Sequence, residues 1–506
     1  MTNGTARSIL VLAVLSYVGV LAWFSPLVIQ DYPNHLARAL IMEDLLFHHG
    51  TEFGSTYQYH FLFVPYVLGD LLLATAVNLV GLGAAGTLWV ILTFLSLPLS
   101  LLVYLRARQT PPDVTVLMLL ISLYLSTDTF FIMGFTEFRL SVAIVFVALA
   151  FMELLRQRWS WGRYVAFAAI AAVSYLTHLA ATVFIGAAIG ASAAWRLIFR
   201  KARIDREVLL LAPVIALLGW HFLVAAHYRQ PQDLGTTASI WGPVSTKGSH
   251  LIWDFLRYNT LQELVLLALF AAFLVVCLRG RQLRDRAVYL TPQVFEPWAY
   301  AVVFLGLYAV LPFGQTEASY IDVRALALVP VFLILGLLNL PPRISGAVSR
   351  PGAALQYLAV ALVVANLGIL AFHLRKSSLW LAQYRAVVAK IPEHSDVLPI
   401  YTGGRHRNLY MYLHVDTFAV MDRHAMIPYQ FSGDRGSPMK YFRYVRLPYA
   451  PEEFWYQSKR DPIVDWKRVR ETYRYVLLMK PFAATRIPLQ GRVVAENEAA
   501  ELLDLE

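Results

Sequence analysis

One cysteine in 506 residues, Cys277 in an apolar segment, excludes a disulfide within the chain and a cysteine-built zinc site. Charge is scarce too: 15% of the residues are charged, against 58% that are hydrophobic. A soluble domain of this length must wet its surface with more charge than that, so a water-soluble globular fold is excluded. There is no glycine-rich phosphate loop of the nucleotide-binding kind, "TGGRH" at 402–406 reading only as a turn, and no obvious internal repeat. The scattered His48, His49, His394, His406, His414 and His424 lack a tight metal-ligand spacing, which argues against a zinc site.

What the chain has in abundance is apolar runs of about 18 residues or more, each long enough to cross a bilayer core as a helix. They predict a mainly α, polytopic transmembrane bundle of about eleven spans. The first run, Ser8 to Gln30, follows a single basic residue and shows no small-residue cleavage site, so it reads as a retained helix. The net charge of +10 sits mostly in short loops between spans, where it sets orientation rather than binding nucleic acid. Arg106 and Arg108; Arg156, Arg158 and Arg163; Arg200, Lys201, Arg203 and Arg206; Arg279, Arg281, Arg284 and Arg286; and Arg343 and Arg350 are expected on the cytoplasmic side. The loops at 134–136, 177–178, 228–256 and 314–322 are then expected on the other side. With Arg7 inside, parity requires one of the stretches 61–83 and 86–105 not to cross. The first, carrying Pro65 and Asp70, is the better candidate for an interfacial segment.

This alternation leaves an outer loop at 31–85 within a membrane domain of residues 1–373, and puts residues 374–506 outside the cytoplasm. The latter are rich in Arg, Lys, Asp, Glu, Tyr and Pro. "SSLWLAQYRAVVAKI" and "DWKRVRETY" read as helices, "DVLPIYT" and "RYVLLMK" as strands, and "RVVAENEAAELLDL" as a closing strand or strand pair, giving a small α/β domain. Compact loops and arginine-rich turns suggest a bacterial inner membrane, with the N-terminus cytoplasmic.

The chemistry-bearing residues gather where spans end on the outer side. In "DYPNHLARALIMEDLLF" Asp31, His35, Arg38 and Met42 fall on one face of a helix whose apolar stripe suits it to lie on a membrane. "GFTEFRLS" adds Glu137 and Arg139, "SYLTHLAATVF" adds His178, and "YIDVRALALVPVFLILG" adds Tyr320 and Arg324. Arginines on the outer side run against the orientation rule, so a local anion would explain them.

An acid ending the first helix, an amphipathic outer-loop helix, many spans and a small C-terminal domain together resemble the GT-C superfamily of membrane glycosyltransferases. The resemblance implies transfer of a sugar from a polyprenyl-phosphate-linked donor to an extracytoplasmic glycan, lipid or protein. It implies Asp31 as base or metal ligand, Glu137 as a second acid where Asp is more usual, and Arg324 with Tyr320 beside the donor phosphate. The partners expected are the lipid-linked donor and membrane lipids. A divalent cation, magnesium or manganese, on Asp31 and Glu137 stays open. Sugar transfer independently requires a base near the acceptor hydroxyl and positive charge for the departing phosphate, for which Arg38, Arg139 and Arg324 are candidates, with His35 and His178 shaping the site.

Each residue has a plainer role. Asp31 could cap the following helix, accepting from Asn34 N–H with Pro33 early in it. Glu137 and Arg139 could pair to fix helix packing, Asp322 could pair with Arg324, and His178 could terminate a helix. Asp70 fits either the site or an internal pair. The rival functions are a transporter or lipid flippase, and a non-catalytic scaffold subunit. A transporter would carry charge near the bilayer midplane and related halves, neither of which is visible.

Overall fold

The computed structural model describes residues 3–200, 205–227, 241, 244–253, 261–279, 291–315, 318–340, 352–401, 412–435, 441–451, 465–480 and 491–506. The turn at 402–406, His406, the basic residues at 201–203, 281–286 and 343–350, and most of the loop 228–256 lie outside them.

The apolar runs form α1 (Asn3–Trp23), α2 (Tyr32–Phe47), α3 (Val67–Val80), α4 (Leu82–Ala107), α5 (Pro112–Leu125), α6 (Thr129–Ile132), α7 (Thr136–Gln157), α8 (Trp161–Thr177), α9 (Leu179–Arg200) and α10 (Asp205–His227). Helices Val244–Trp253, Leu261–Arg279, Pro292–Val310, Val329–Leu338 and Ala353–Val388 follow. Among the described residues, seven helices are long and apolar enough to cross a membrane, accompanied by four shorter apolar ones. Lipid is as apolar as leucine, so spans associate through close packing and polar contacts rather than through the hydrophobic effect. α4 buries Ser96 and Ser100, and α7 buries Ser141 and Ala148, small residues that let the two approach closely. Asn366 on the long helix donates to Tyr17 Oη of α1 at 2.5 Å and to Thr127 Oγ1 beyond α5 at 2.9 Å.

At one end the last turns of α4, α7 and α9 meet the first turns of α10 and Pro292–Val310. The arginines there do more than set orientation. Glu296 accepts from Arg156 at 2.8 Å, Arg108 at 3.0 Å and Ser192 at 3.0 Å; Glu153 accepts from both arginines; and Glu207 pairs with Arg196.

Of the two stretches at 61–83 and 86–105, the first gives much the shorter helix, α3. Its 14 residues span about 21 Å, short of the roughly 30 Å of a hydrocarbon core. It packs along α2, Asp70 in its first turn meeting Arg38. The next helix, α4, starts against α2 as well, for a Cβ on Gly86 would lie 2.5 Å from Tyr32 Oη. The expected surface position of α2 itself is corrected. Its residues from Tyr32 to Ala39 are all buried, as are Ile41, Met42 and Asp44, so the helix lies inside the protein, between α3, α4 and the C-terminal region.

The last span and the first helix of the C-terminal region are one element. Ala353–Val388 has 36 residues, about 54 Å, and runs straight through the boundary expected at 373. On its far half rests a four-stranded sheet in the order β4-β6-β8-β7: β4 (Val397–Tyr401), β6 (Tyr475–Met479), β7 (Arg492–Glu496) and β8 (Ala500–Asp504). β4 and β6 run parallel, with Val397 opposite Tyr475, while β7 and β8 form the expected strand pair. All five residues of β6, "YVLLM", are buried, as a central strand covered on both faces requires. The helix "DWKRVRETY" forms at Trp466–Thr472, with Asp465 accepting from Arg468 N–H. The aromatic "YQY" becomes strand β1 (Tyr57–Tyr59), antiparallel to β5 (Phe442–Tyr444), so the outer loop and the C-terminal region share a sheet and a hydrophobic core.

Glu296→Ala would leave Arg108 and Arg156 in a buried setting with Glu153 alone between them. Breaking such a network costs about 3–5 kcal/mol. The expected result is a clearly lower thermal unfolding midpoint in detergent, and an unchanged midpoint would sink this account of the network.

Candidate active site

Asp31 ends the non-helical segment after α1, and its backbone is held from the side. Gln30 N–H donates to Ile132 C=O at 3.1 Å and Asp31 N–H to Met133 C=O at 3.0 Å. Gly134, at φ +70°, makes the approach possible. A Cβ there would lie 2.5 Å from Tyr32 N and 2.7 Å from Asp31 N. "GFTEF" is thereby laid against "DYPNH", and Glu137, in the first turn of α7, comes beside α2.

The plain capping role of Asp31 is corrected. Its backbone carbonyl accepts from Asn34 and His35 N–H, but its carboxylate makes no capping bond. That carboxylate instead accepts from Gln30 Nε2 at 3.2 Å and faces His414 Nε2 at 3.5 Å. Burial pushes the Asp31 carboxyl up to about 6, against the pull of His35, the Gln30 hydrogen bond and Arg324. Burial, and then the neighbouring His35, hold His414 down to about 3, so its imidazole is neutral at neutral pH. Asn34 Nδ2 donates to His414 Nδ1 at 3.4 Å, which leaves the proton on Nε2, aimed at Asp31.

The other expected residues divide into two sets. Arg38 is not free. Its guanidinium forks onto Asp70, Nε and Nη2 each 2.7 Å from a carboxylate oxygen, and Nη2 lies 2.8 Å from His35 Nδ1. Tyr441 Oη donates to the same Asp70, and Glu137 stands 3.3 Å from His35 and 3.7 Å from Arg38. This settles the two roles open for Asp70: it is an internal partner. A Cβ on Gly69 would meet Glu137 Cγ at 2.5 Å, so that glycine lets α3 pass the acid. Arg139 likewise belongs to another acid. It reaches Asp128 Oδ2 at 2.6 Å and the Leu125 carbonyl at 3.2 Å, bracing the α5–α6 turn that carries Ile132 and Met133.

Arg324 is the arginine left over. Asp322 pairs with Lys247 at 3.3 Å, not with Arg324, and caps the turn Val323–Ala327 through Val323 N–H. Among the described residues the Arg324 guanidinium enters no ion pair. Its Nε is buried without a hydrogen bond, and its carbon stands 5.3 and 5.6 Å from the ring centres of Phe135 and Phe138. Its positive charge favours the ionised Asp31 carboxylate, against the effect of burial. Tyr320, at φ +61°, packs its ring on Phe135 and Phe313. His178 breaks α8 from α9: its Nδ1 accepts from Ala180 N–H at 3.1 Å, so Nε2 faces Tyr66 Oη at 3.1 Å as the donor.

Sequence reasoning missed Asn34 and His414. Asn34 is fully buried and clasps the C-terminal region. Its Oδ1 accepts from Gln430 Nε2 at 2.8 Å and Phe431 N–H at 3.0 Å, and its Nδ2 donates to the Tyr429 carbonyl at 3.3 Å. Pro33 and Asn34 in "DYPNH" look like helix-start chemistry, and nothing local marks a partner some 400 residues away. Asn34→Ala would strand those donors at a cost of about 1–3 kcal/mol. Proteolysis within 412–435 should then speed up well before global unfolding; equal cleavage rates in the two proteins would refute the clasp.

No protein-family model matches the chain, and no curated protein sequence does. Solved structures do. ArnT from Cupriavidus metallidurans bound to undecaprenyl phosphate superimposes with a TM-score of 0.57 at 14% identity, over 99% of this chain and 98% of that one. The same protein in the apo state gives 0.57 at 13% identity, over 99% and 97%. With that likeness along its whole length and seven helices able to cross a bilayer, the chain is an integral membrane protein with the GT-C fold of ArnT.

Proposed function

We propose that the protein is a membrane glycosyltransferase that moves a sugar from a polyprenyl-phosphate-linked donor to an acceptor on the extracytoplasmic side, in a bacterial inner membrane. The observation that carries this reading is a carboxylate free of capping duty, Asp31, under the electrostatic influence of a guanidinium that no described acid holds, Arg324. An apolar groove of about 370 Å³ between α3, α4, α7 and α8 adds to it. Leu72, Trp89, Leu99 and Val147 line the groove, and Gly69, which touches Glu137, and Thr177, which precedes His178, stand at its margin. An isoprenoid chain has the chemistry of that lining, and its phosphate would then reach the charged chamber. The undecaprenyl phosphate bound by the ArnT neighbour supports the same donor class.

In this reading Asp31 takes the proton of the acceptor hydroxyl as its oxygen attacks the anomeric carbon. The bond from that carbon to the phosphate oxygen breaks, and its electron pair leaves with the lipid phosphate, where Arg324 balances the charge and Tyr320 walls the pocket. A raised Asp31 suits a base working near neutral pH. His414 fixes the carboxylate's orientation. Arg38 and Arg139 act as positioning residues rather than phosphate contacts, and Glu137 acts through His35 and Arg38. A magnesium or manganese ion on Asp31 and Glu137 is a second proposal. It would have to draw Glu137 off His35 and Arg38, and transfer would then stop on EDTA treatment and return with the added ion.

The test is release of polyprenyl phosphate from a panel of polyprenyl-phosphate monosaccharides in nanodiscs, followed by mass spectrometry. Asp31→Asn should lower turnover on the order of 100- to 10,000-fold, and Arg324→Ala about 100- to 1,000-fold, with thermal midpoints close to that of the parent. Turnover of the parent should fall as pH drops through about 6, because Asp31 is protonated below that value and cannot accept a proton. Full activity of Asp31→Asn, or a rate flat from pH 7 to 5, removes Asp31 from the chemistry.

A further inference from the structure

His394 and His424 lie far apart from Glu52 in the chain and look unrelated there, but folding brings the three together at the seam between the outer loop and the C-terminal region. His424 Nδ1 lies 3.2 Å and His394 Nε2 3.4 Å from the same oxygen, Glu52 Oε2. The two imidazole rings are 5.6 Å apart, and one ligand atom from each of the three residues falls within 4.8 Å of the other two.

Both partners of this cluster are braced before anything binds. Glu52 follows α2 in a loop tied to Asp44, whose carboxylate accepts from Thr51 Oγ1 at 3.0 Å, Glu52 N–H at 3.2 Å and Phe53 N–H at 2.9 Å. On the other side the segments at 394–396 and 423–426 are stitched together. His394 N–H donates to the Arg423 carbonyl and Met426 N–H to the Ser395 carbonyl, each at 3.0 Å. Both histidines have left-handed backbone, φ +59° and +48°. At His424 this conformation closes the helix Phe418–Arg423, the His424 N–H donating to the Val420 carbonyl at 3.0 Å. The neighbouring charges are otherwise engaged, Arg423 with Glu393 and Arg385 with Asp422. The three ligands are 36–53% exposed, so an ion can enter from water.

We propose that Glu52, His394 and His424 form a divalent transition-metal site, for zinc by preference, that clamps the outer loop to the C-terminal region. Two imidazole nitrogens and one carboxylate oxygen with an open fourth position for water suit zinc, and also nickel or copper, whereas magnesium and calcium prefer all-oxygen shells. His424 closes the helix Phe418–Arg423, which follows the turn carrying His414, so the ion holds in place the segment that brings His414 to Asp31. The site lies apart from the buried His35, Asp70 and Glu137 and needs no sugar transfer to be detected.

The experiment is zinc binding by the full chain in nanodiscs, stripped with EDTA, desalted and dialysed against zinc, with metal per chain counted by mass spectrometry and thermal midpoints recorded. The parent should take up one zinc that His394→Ala/His424→Ala does not, and zinc but not magnesium should raise the parent's midpoint. Glu52→Gln should weaken binding at least about tenfold, while Glu52→His, which keeps three ligands, should retain it. Three outcomes overturn the proposal: equal zinc in parent and double variant, no zinc in the parent, or zinc lost only in Glu137→Gln, which assigns the ion to the buried cluster.

Discussion

The chamber depends on one buried ion pair. Arg38 on α2 and Asp70 on α3 meet in a two-point fork, fully removed from water, and each has further partners. Asp70 also accepts from Tyr441, so the pair ties the C-terminal region to the short helices. Arg38 also faces His35 and Glu137, so the same guanidinium balances the second acid of the site. Either charge alone in that setting would cost several kcal/mol, and the fork is what permits both. With Arg38 and Arg139 committed to Asp70 and Asp128, Arg324 is the one of these three arginines that no described acid holds. The fork therefore sorts the arginines as well as holding the helices.

Polar groups in this protein are concentrated at two ends that work differently. At one end Arg108 and Arg156 each meet Glu153 and Glu296, with Ser192 joining them, so charges of both signs are paired. At the other end the satisfaction is incomplete. Asp31 keeps a carboxylate turned towards a neutral imidazole, and Arg324 keeps a buried nitrogen without a bond. Unpaired buried groups are costly, and a binding site is where such a cost is found.

Much of this was legible in the chain because it follows from local pattern. Apolar runs gave a mainly helical membrane fold, seven of whose described helices could cross where about eleven spans are expected, and Asp31, Glu137, His178 and Arg324 lie around one region. Strands and helices of the C-terminal region followed from period and composition. What local pattern cannot carry is partnership. Arg38, Arg139 and Arg324 look equivalent as letters; Asp70 and Asp128 remove two of them from contention. His414 and Asn34 form contacts across some 380 positions, and the strand β1 exists only because β5 pairs with it. The long helix was read as two elements because composition changes near residue 373, though the backbone does not register that change.

The Asn34 clasp has a consequence for synthesis. Asn34 leaves the ribosome 395 residues or more before its partners Tyr429, Gln430 and Phe431, and Asp70 leaves it 371 residues before Tyr441. During that interval His35 and Arg38 of α2 have Asp70, Glu137 and one another, while Asn34 lacks its partners. The site is thus begun early and closed late, and a chain interrupted before residue 412 carries Asp31, Asp70, Glu137, Arg38 and Arg324 without the wall that closes them.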